Sequence, residues 1–180
     1  MNNPILIAID GRCSSGKTTL AEKLREKLHC PVIHMDDFFL RPEQRTPERY
    51  LEPGGNVDYE RFLTEVMEPL KAGRPFSYRP YSCKLQSLTE PVLVEPHEVA
   101  IIEGSYSCHP ALWDYYDLRV FLDIDEDEQL RRIAQRNGEQ AVPVFKEKWI
   151  PLEELYFRTY NIPQRCDYYF KTGGNTMEKL

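Results

Sequence analysis

The sequence predicts an α/β fold, a mainly parallel sheet covered by helices on both faces. Two observations predict it. Short apolar, β-branched runs alternate along the chain with segments of helical periodicity, the pattern of buried parallel strands joined by crossover helices. The first of these runs, residues 5–10 (ILIAID), leads through a glycine-rich loop into a stretch where Leu20, Leu24 and Leu28 recur every four residues.

The loop between them is Gly11-Arg12-Cys13-Ser14-Ser15-Gly16-Lys17-Thr18. It fits G-x-x-x-x-G-K-[ST], the phosphate-binding P-loop, in its confirming order of strand, loop and helix. Gly11 permits a sharp turn out of the strand, and Gly16 permits close backbone approach to a phosphate. Successive N–H groups then form one anion-binding concavity, helped by the N-terminus of the following helix. Lys17 supplies a cation for the outer phosphates, and the Thr18 hydroxyl is placed for Mg²⁺. The expected ATP-binding set is Gly11, Arg12, Cys13, Ser14, Ser15, Gly16, Lys17, Thr18 and Thr19. The fold class becomes a P-loop NTPase-type three-layer sandwich, with a small lid and a substrate-side hairpin, in a single domain over residues 1–180.

The remaining elements follow in order. Residues 31–35 (PVIHM) form a second buried strand ending at Asp36-Asp37. Residues 41–55, rich in Pro, Arg and Glu, make a surface excursion with a turn of helix near 47–50. Phe62, Leu63, Val66, Met67 and Leu70 have helical spacing, so a helix spans about 58–72 and stops near Gly73. Residues 76–81 and 87–94 form a hairpin off the main sheet, within a substrate-side insertion over about 73–96. Strands follow at 99–102 and 118–124. Asp125, with Glu128 three residues on, looks like a capping box for a helix that turns Leu130, Ile133 and Ala134 inward. That helix carries Arg132 and Arg136 on one face and opens a lid over about 131–145. Residues 144–160 are helical but interrupted at Pro151, 167–171 form a last strand, and the final residues fray.

Composition excludes several classes. The chain has 180 residues, 23 basic against 29 acidic, and a net charge of −6. An acidic chain without a basic run is a poor candidate for nucleic-acid binding, so charged ligands are expected to need a local cluster. No run of eighteen apolar residues suggests a membrane span, and the first strand begins too early to leave room for a signal peptide. Cys13, Cys30, Cys83, Cys108 and Cys166 are odd in number and lack C-x-x-C spacing. They are expected as free thiols in a reducing cytoplasm, Cys13 being a small residue tolerated at a variable loop position. The oligomeric state stays open, a homodimer included.

In a parallel sheet, ligands bind beyond the carboxyl ends of the strands. The P-loop, Asp36-Asp37 and Glu103 each follow a strand directly and should share one edge. Phosphoryl transfer needs phosphate clamps, Mg²⁺, an in-line nucleophile and a proton acceptor. Lys17 and the loop amides are the clamp, Thr18 and Glu103 the metal ligands, and Asp36 the general base facing a substrate hydroxyl. Asp37 is as well explained as a structural residue. Arg132 and Arg136 either neutralise transition-state charge from the lid or lie on a solvated helix face. His34, His97 and His109 lack metal-ligand company and are expected to be structural or on the surface. A regulator that binds nucleotide without phosphorylating a metabolite is the alternative from another class. N-K-x-D, D-x-x-G and LSGGQ-like signatures are all missing from the sequence.

The ordered set GRCSSGKTT, MDDFF, NVDYERF, IIEGSY and an Arg-rich helix resembles the uridine kinase/phosphoribulokinase family, which includes nicotinamide riboside kinases. The likeness runs from Ile5 to Phe170. It implies an ATP- and Mg²⁺-dependent kinase acting on a small molecule, first of all the 5′-OH of a nucleoside. It implies Asp36 as base, Asp58 as the ligand of sugar hydroxyls (or the N-cap of its helix), and Tyr81 along the substrate. The sequence departs from the family where Ser82, Gln86 and Leu88 replace Asp, His and Arg that help recognise the pyrimidine. After Arg136, Asn137-Gly138-Glu139 lacks the family's next arginine, and residues 144–149 (VFKEKW) with Pro151 and Tyr156 look more like the nicotinamide riboside branch.

Overall fold

The computed structural model describes residues 4–173 and the backbone of 178–179. In chain order the strands are β1 (Ile5–Gly11), β2 (Val32–His34), β3 (Phe76–Tyr78), β4 (Tyr81–Ser82), β5 (Ser87–Leu88), β6 (Val92–Val94), β7 (Val99–Glu103), β8 (Leu118–Ile124), β9 (Tyr168–Thr172) and β10 (Glu178–Lys179). The main sheet has the order β10-β9-β8-β1-β7-β2. Five strands are parallel, and β10 closes one edge antiparallel to β9. The fraying expected at the C-terminus lies, for 174–177 and 180, outside the described residues.

Strand pleat divides the core into two layers. Leu6 and Ala8 of β1, with Ala100 and Ile102 of β7, face the larger cluster around Phe38, Phe62, Phe121 and Tyr156. Ile7, Ile9 and Ile101 face the opposite layer with Ala21, Leu20 and Leu24 of the first helix, Lys17–Leu28. This period of two makes both sheet faces apolar and requires helices on both. The expected leucine stripe ends before Leu28, which is 42% exposed, whereas Ala21 is fully buried. Four residues turn a helix through about 400°, so an i, i+4 row drifts off the buried face within two steps.

The helix expected over 58–72 is continuous but not uniform. It consists of Tyr59–Phe62, a π-type turn at Leu63–Met67, and Glu68–Lys71. The C-terminal helix repeats this design: Val142–Val144, a π-type turn at Phe145–Trp149, then Ile150–Tyr160. Each π-type turn ends two residues before a proline, Pro69 and Pro151. Proline removes one backbone donor and clashes with the carbonyl four residues back, and a widened turn makes room for it. Pro151 therefore does not interrupt the helix, contrary to the sequence expectation.

Two further local expectations change. Asp125 does precede the helix Glu126–Asn137, but its side chain makes no cap hydrogen bond. It pairs instead with Lys171 at 2.5 Å, while Glu128 binds Arg131 and Arg132, so no capping box forms. Gln129 is buried in that helix beside Ile133, whereas Leu130 and Ala134 are half-buried. Off the main sheet, β3 pairs with β6 and β4 with β5, both antiparallel.

Candidate active site

Register brings the reactive side chains together. Ile9 of β1 and His34 of β2 both lie opposite Glu103, the last residue of β7. The strand ends therefore line up, and Gly11, His34, Asp36 and Glu103 open onto one edge. Gly11 has φ of +140° and lies so close to β8 that a Cβ would fall 2.1 Å from the Leu122 carbonyl oxygen. Backbone cannot yield as a side chain can. Gly11→Ala is expected to cost roughly 3 kcal/mol or more, measured by the urea midpoint of unfolding. Gly16 is different: open space surrounds it, and its φ of +99° is what demands glycine.

Not every loop amide is available to a phosphate. The Arg12 N–H donates to Leu122 O at 3.1 Å, Ser15 N–H to Arg12 O at 3.2 Å, and Cys13 N–H to Glu153 Oε2 at 3.0 Å. The Arg12 guanidinium pairs with Asp123 and Glu154, away from the loop mouth. The anion cradle is left to Ser14, Gly16 and the first-turn amides of Lys17, Thr18 and Thr19, which have no intrahelical acceptor. The Ser14 and Ser15 hydroxyls are buried without a partner among the described residues, and Ser14, which lines the cavity, suits a site built for anionic oxygens. Lys17 Nζ donates to the carbonyls of Gly11 and Arg12, both at 2.8 Å, and spans the loop. Desolvation and the neighbouring Glu153 push the half-buried Cys13 thiol up to about 12, so it stays protonated.

Beside the loop, Thr18 Oγ1 donates to both Glu103 oxygens, at 3.2 and 3.3 Å. His34 Nδ1 lies 2.5 Å from Glu103 Oε1, and this contact raises the imidazole pKa. His34 therefore has a structural place, as expected, and the carboxylate that it holds is the one assigned to the metal. A hydroxyl and one carboxylate with room for water and phosphate oxygens fit Mg²⁺, which is bound through few protein groups.

Asp36 lies in the short helical turn Met35–Phe38 directly after β2. It lines a cavity of about 1150 Å³ together with Lys17, Thr18, Glu103, Arg132 and Arg136. Its side chain is exposed to the open cavity, and partial desolvation by the cavity walls raises its carboxyl above the usual value, with Lys17 pulling the other way. Asp37 faces elsewhere and accepts from Tyr78 Oη at 3.1 Å, a structural place. From the lid, Arg132 donates to Glu128 and to the Ser14 carbonyl, and Arg136 to Asn137 Oδ1.

Residues 7–143, more than half of the chain, match the AAA domain family. A uridine kinase from Latilactobacillus sakei is 30% identical over 186 residues, spanning 96% of this chain and 87% of that protein. The chain belongs to the uridine kinase/phosphoribulokinase family. Uridine kinase-like protein 5 of Arabidopsis thaliana is 30% identical over 147 residues, 76% of this chain, but the chain spans only 31% of that protein's length. A possible uridine kinase from Bacillus stearothermophilus shares the fold, with a TM-score of 0.73 and 22% identity over 94% of this chain and 89% of its own. No helix among the described residues is long and apolar enough to cross a membrane.

Within this uridine kinase-like framework, two residues singled out from the sequence stand back from the cavity wall. Asp58 caps its helix through Arg61 N–H at 3.1 Å, and its other oxygen accepts from Gln44 at 2.8 Å. Asp58→Ala is expected to lower stability by about 1 kcal/mol, the usual worth of a cap, checked by thermal unfolding. Tyr81 is buried, and its hydroxyl meets Arg45 at 2.9 Å.

The residues that do face the cavity on this side include Asn56, whose buried Oδ1 has no partner, and Arg45, Tyr50 and Gln86. Asn56 stands two positions before Asp58 in the same motif, so spacing alone did not separate them. Glu153 has no local signal at all. It arrives from the C-terminal helix, fully surrounded, and accepts from Cys13 N–H and from Ser105 Oγ at 2.8 Å. Burial raises its pKa, against the opposing pull of Lys17.

Proposed function

We propose that this chain is an ATP- and Mg²⁺-dependent small-molecule kinase that moves the γ-phosphoryl group to an acceptor hydroxyl. The observation that carries the reading is the convergence on one cavity of the Lys17 ammonium, the Thr18–Glu103 pair and the Asp36 carboxylate. Lys17 and the uncommitted loop amides hold the phosphates. Thr18 and Glu103 would hold Mg²⁺, which neutralises phosphate charge, and His34 keeps Glu103 oriented. Asp36 takes the proton of the acceptor hydroxyl as its oxygen bonds to the γ-phosphorus and the bridge to the β-phosphate breaks, releasing ADP. Arg132 and Arg136 close on the transferring group. Its raised pKa makes Asp36 a better base than a carboxylate in water.

The acceptor is a ribosyl-type alcohol reacting at its 5′-OH, as the likeness to uridine kinases suggests. Support for a neutral pyrimidine is weaker, since Ser82, Gln86 and Leu88 occupy the hairpin positions. The test is ADP release from ATP with and without a panel of nucleosides that includes uridine, cytidine and nicotinamide riboside, with mass detection of product. Release stimulated by an acceptor supports the kinase. Equal release without any acceptor, joined to tight binding of a protein, supports a nucleotide-binding regulator instead.

A further inference from the structure

Beyond the phosphate machinery, the cleft carries two cations that no acid answers. Arg45 is held in place by neutral groups. Its Nε donates to Leu40 O at 3.0 Å and its Nη2 to Tyr81 Oη at 2.9 Å, while Nη1 reaches Gln86 Oε1 at 3.5 Å. Lys148 lies over the rings of Tyr50 and Trp149, at 4.7 and 4.5 Å. Neither pairs with a carboxylate among the described residues. Other half-buried arginines do: Arg12 with Asp123, Arg49 with Glu60, Arg61 with Glu65 and Arg119 with Asp167. In a chain of net charge −6, a fixed and half-buried guanidinium left unpaired is an exception. Neutral acceptors and the Tyr81 ring, 5.7 Å away, offset part of its desolvation, but its charge has no counter-ion until an anion arrives.

The place of Arg45 says which ligand brings that anion. Lys17, Arg132 and Arg136 already serve the nucleotide phosphates. Arg45 belongs to the 41–55 excursion and abuts the hairpin at Tyr81 and Gln86, on the wall that also carries Asn56. It shares the cavity with Asp36. The existing bonds of Arg45 leave an N–H on each terminal nitrogen, the pair that a carboxylate or phosphate engages together. Asn56 Oδ1 offers a buried acceptor to a hydroxyl of the same molecule.

We propose that the acceptor is a hydroxylated anion: an alcohol bearing a carboxylate or phosphate that Arg45 binds, with Lys148 adding positive field, while the reacting hydroxyl faces Asp36. The inference rests on the kinase reading above and narrows its acceptor. A nucleoside meets it only if the group remote from the 5′-OH is itself anionic.

The test is ADP release by the full chain with Mg-ATP and matched acceptors: uridine against orotidine, and glycerol against glycerate (carboxylate) and glycerol 3-phosphate (phosphate). An anionic member is expected to exceed its neutral counterpart by about 100-fold or more in kcat/KM. Arg45→Met should raise KM for that anion by about 30-fold or more, with KM for ATP and the melting temperature unmoved, and Arg45→Lys should recover part of it. Whichever of glycerate and glycerol 3-phosphate is favoured identifies the anion. The wild-type preference stands without the variants, should either fail to fold. Preference for the neutral members overturns the inference and leaves the kinase reading intact. So does an equal KM rise for both members in Arg45→Met, which would make Arg45 a brace for the hairpin. Release stimulated by none of these acceptors, nor by the nucleoside panel, removes both.

Discussion

Asp36→Asn is expected to lower kcat by roughly 10²–10⁴-fold, the usual worth of a positioned general base, or about 3–5 kcal/mol of barrier. ATP should still bind, because on the proposed reading its phosphates are held by Lys17 and loop amides that the substitution leaves alone. The pH profile supplies a second readout. Asp36 accepts a proton only when ionised; its side chain is exposed to the open cavity, yet desolvation by the surrounding walls raises its pKa above the usual carboxylate value despite Lys17. Wild-type kcat should therefore fall as pH drops through that raised value, and this acid limb should vanish in the asparagine variant. Steady-state kinetics across pH, with nucleotide titration by calorimetry, measure both effects. Turnover at the wild-type rate in Asp36→Asn would take this carboxylate out of the chemistry.

Lys17→Ala is expected to reduce turnover by roughly 10³-fold or more, the scale on which one cation near the transferring group acts. The side chain has two jobs. It hydrogen-bonds the carbonyls of Gly11 and Arg12 and so holds the loop's shape. On the proposed kinase reading, its charge also meets the outer phosphates of the bound nucleotide. The first job is worth about 1 kcal/mol of stability per bond, so the variant should stay folded while activity is lost. Circular dichroism melting alongside an ADP-release assay separates the two. A collapse of the melting temperature equal to that of Gly11→Ala would show that the ammonium is chiefly a structural tie.

Much of the site was readable because its signals are local. The P-loop needs two glycines, a lysine and a threonine at fixed offsets, and each offset corresponds to a backbone conformation or a ligand atom. The positions of Asp36 and Glu103 followed from one rule, that residues just past parallel strands share an edge. The structure places Thr18 Oγ1 within hydrogen-bonding distance of Glu103, although 85 residues separate them. Helical periodicity located the helix over 59–71 but not its π-type turn, which answers to Pro69 through sterics that a period of 3.6 does not carry.

Tertiary structure settled what depends on distant partners. The sequence marks nine consecutive residues of the loop as nucleotide-binding, yet the amides of Arg12 and Cys13 belong to Leu122 and Glu153, the latter 140 positions away. Periodicity says which face of an element is buried; it does not say which donor another element will claim. The same holds for His34 against Glu103, and for Asn56, which lines the cavity while Asp58 is spent on its helix cap. Strand pattern, glycine spacing and the order of elements are properties of neighbouring residues and survive in one dimension. Pairing between side chains far apart in the chain exists only once the sheet has formed, and that pairing divides the residues into those free to meet a ligand and those already occupied.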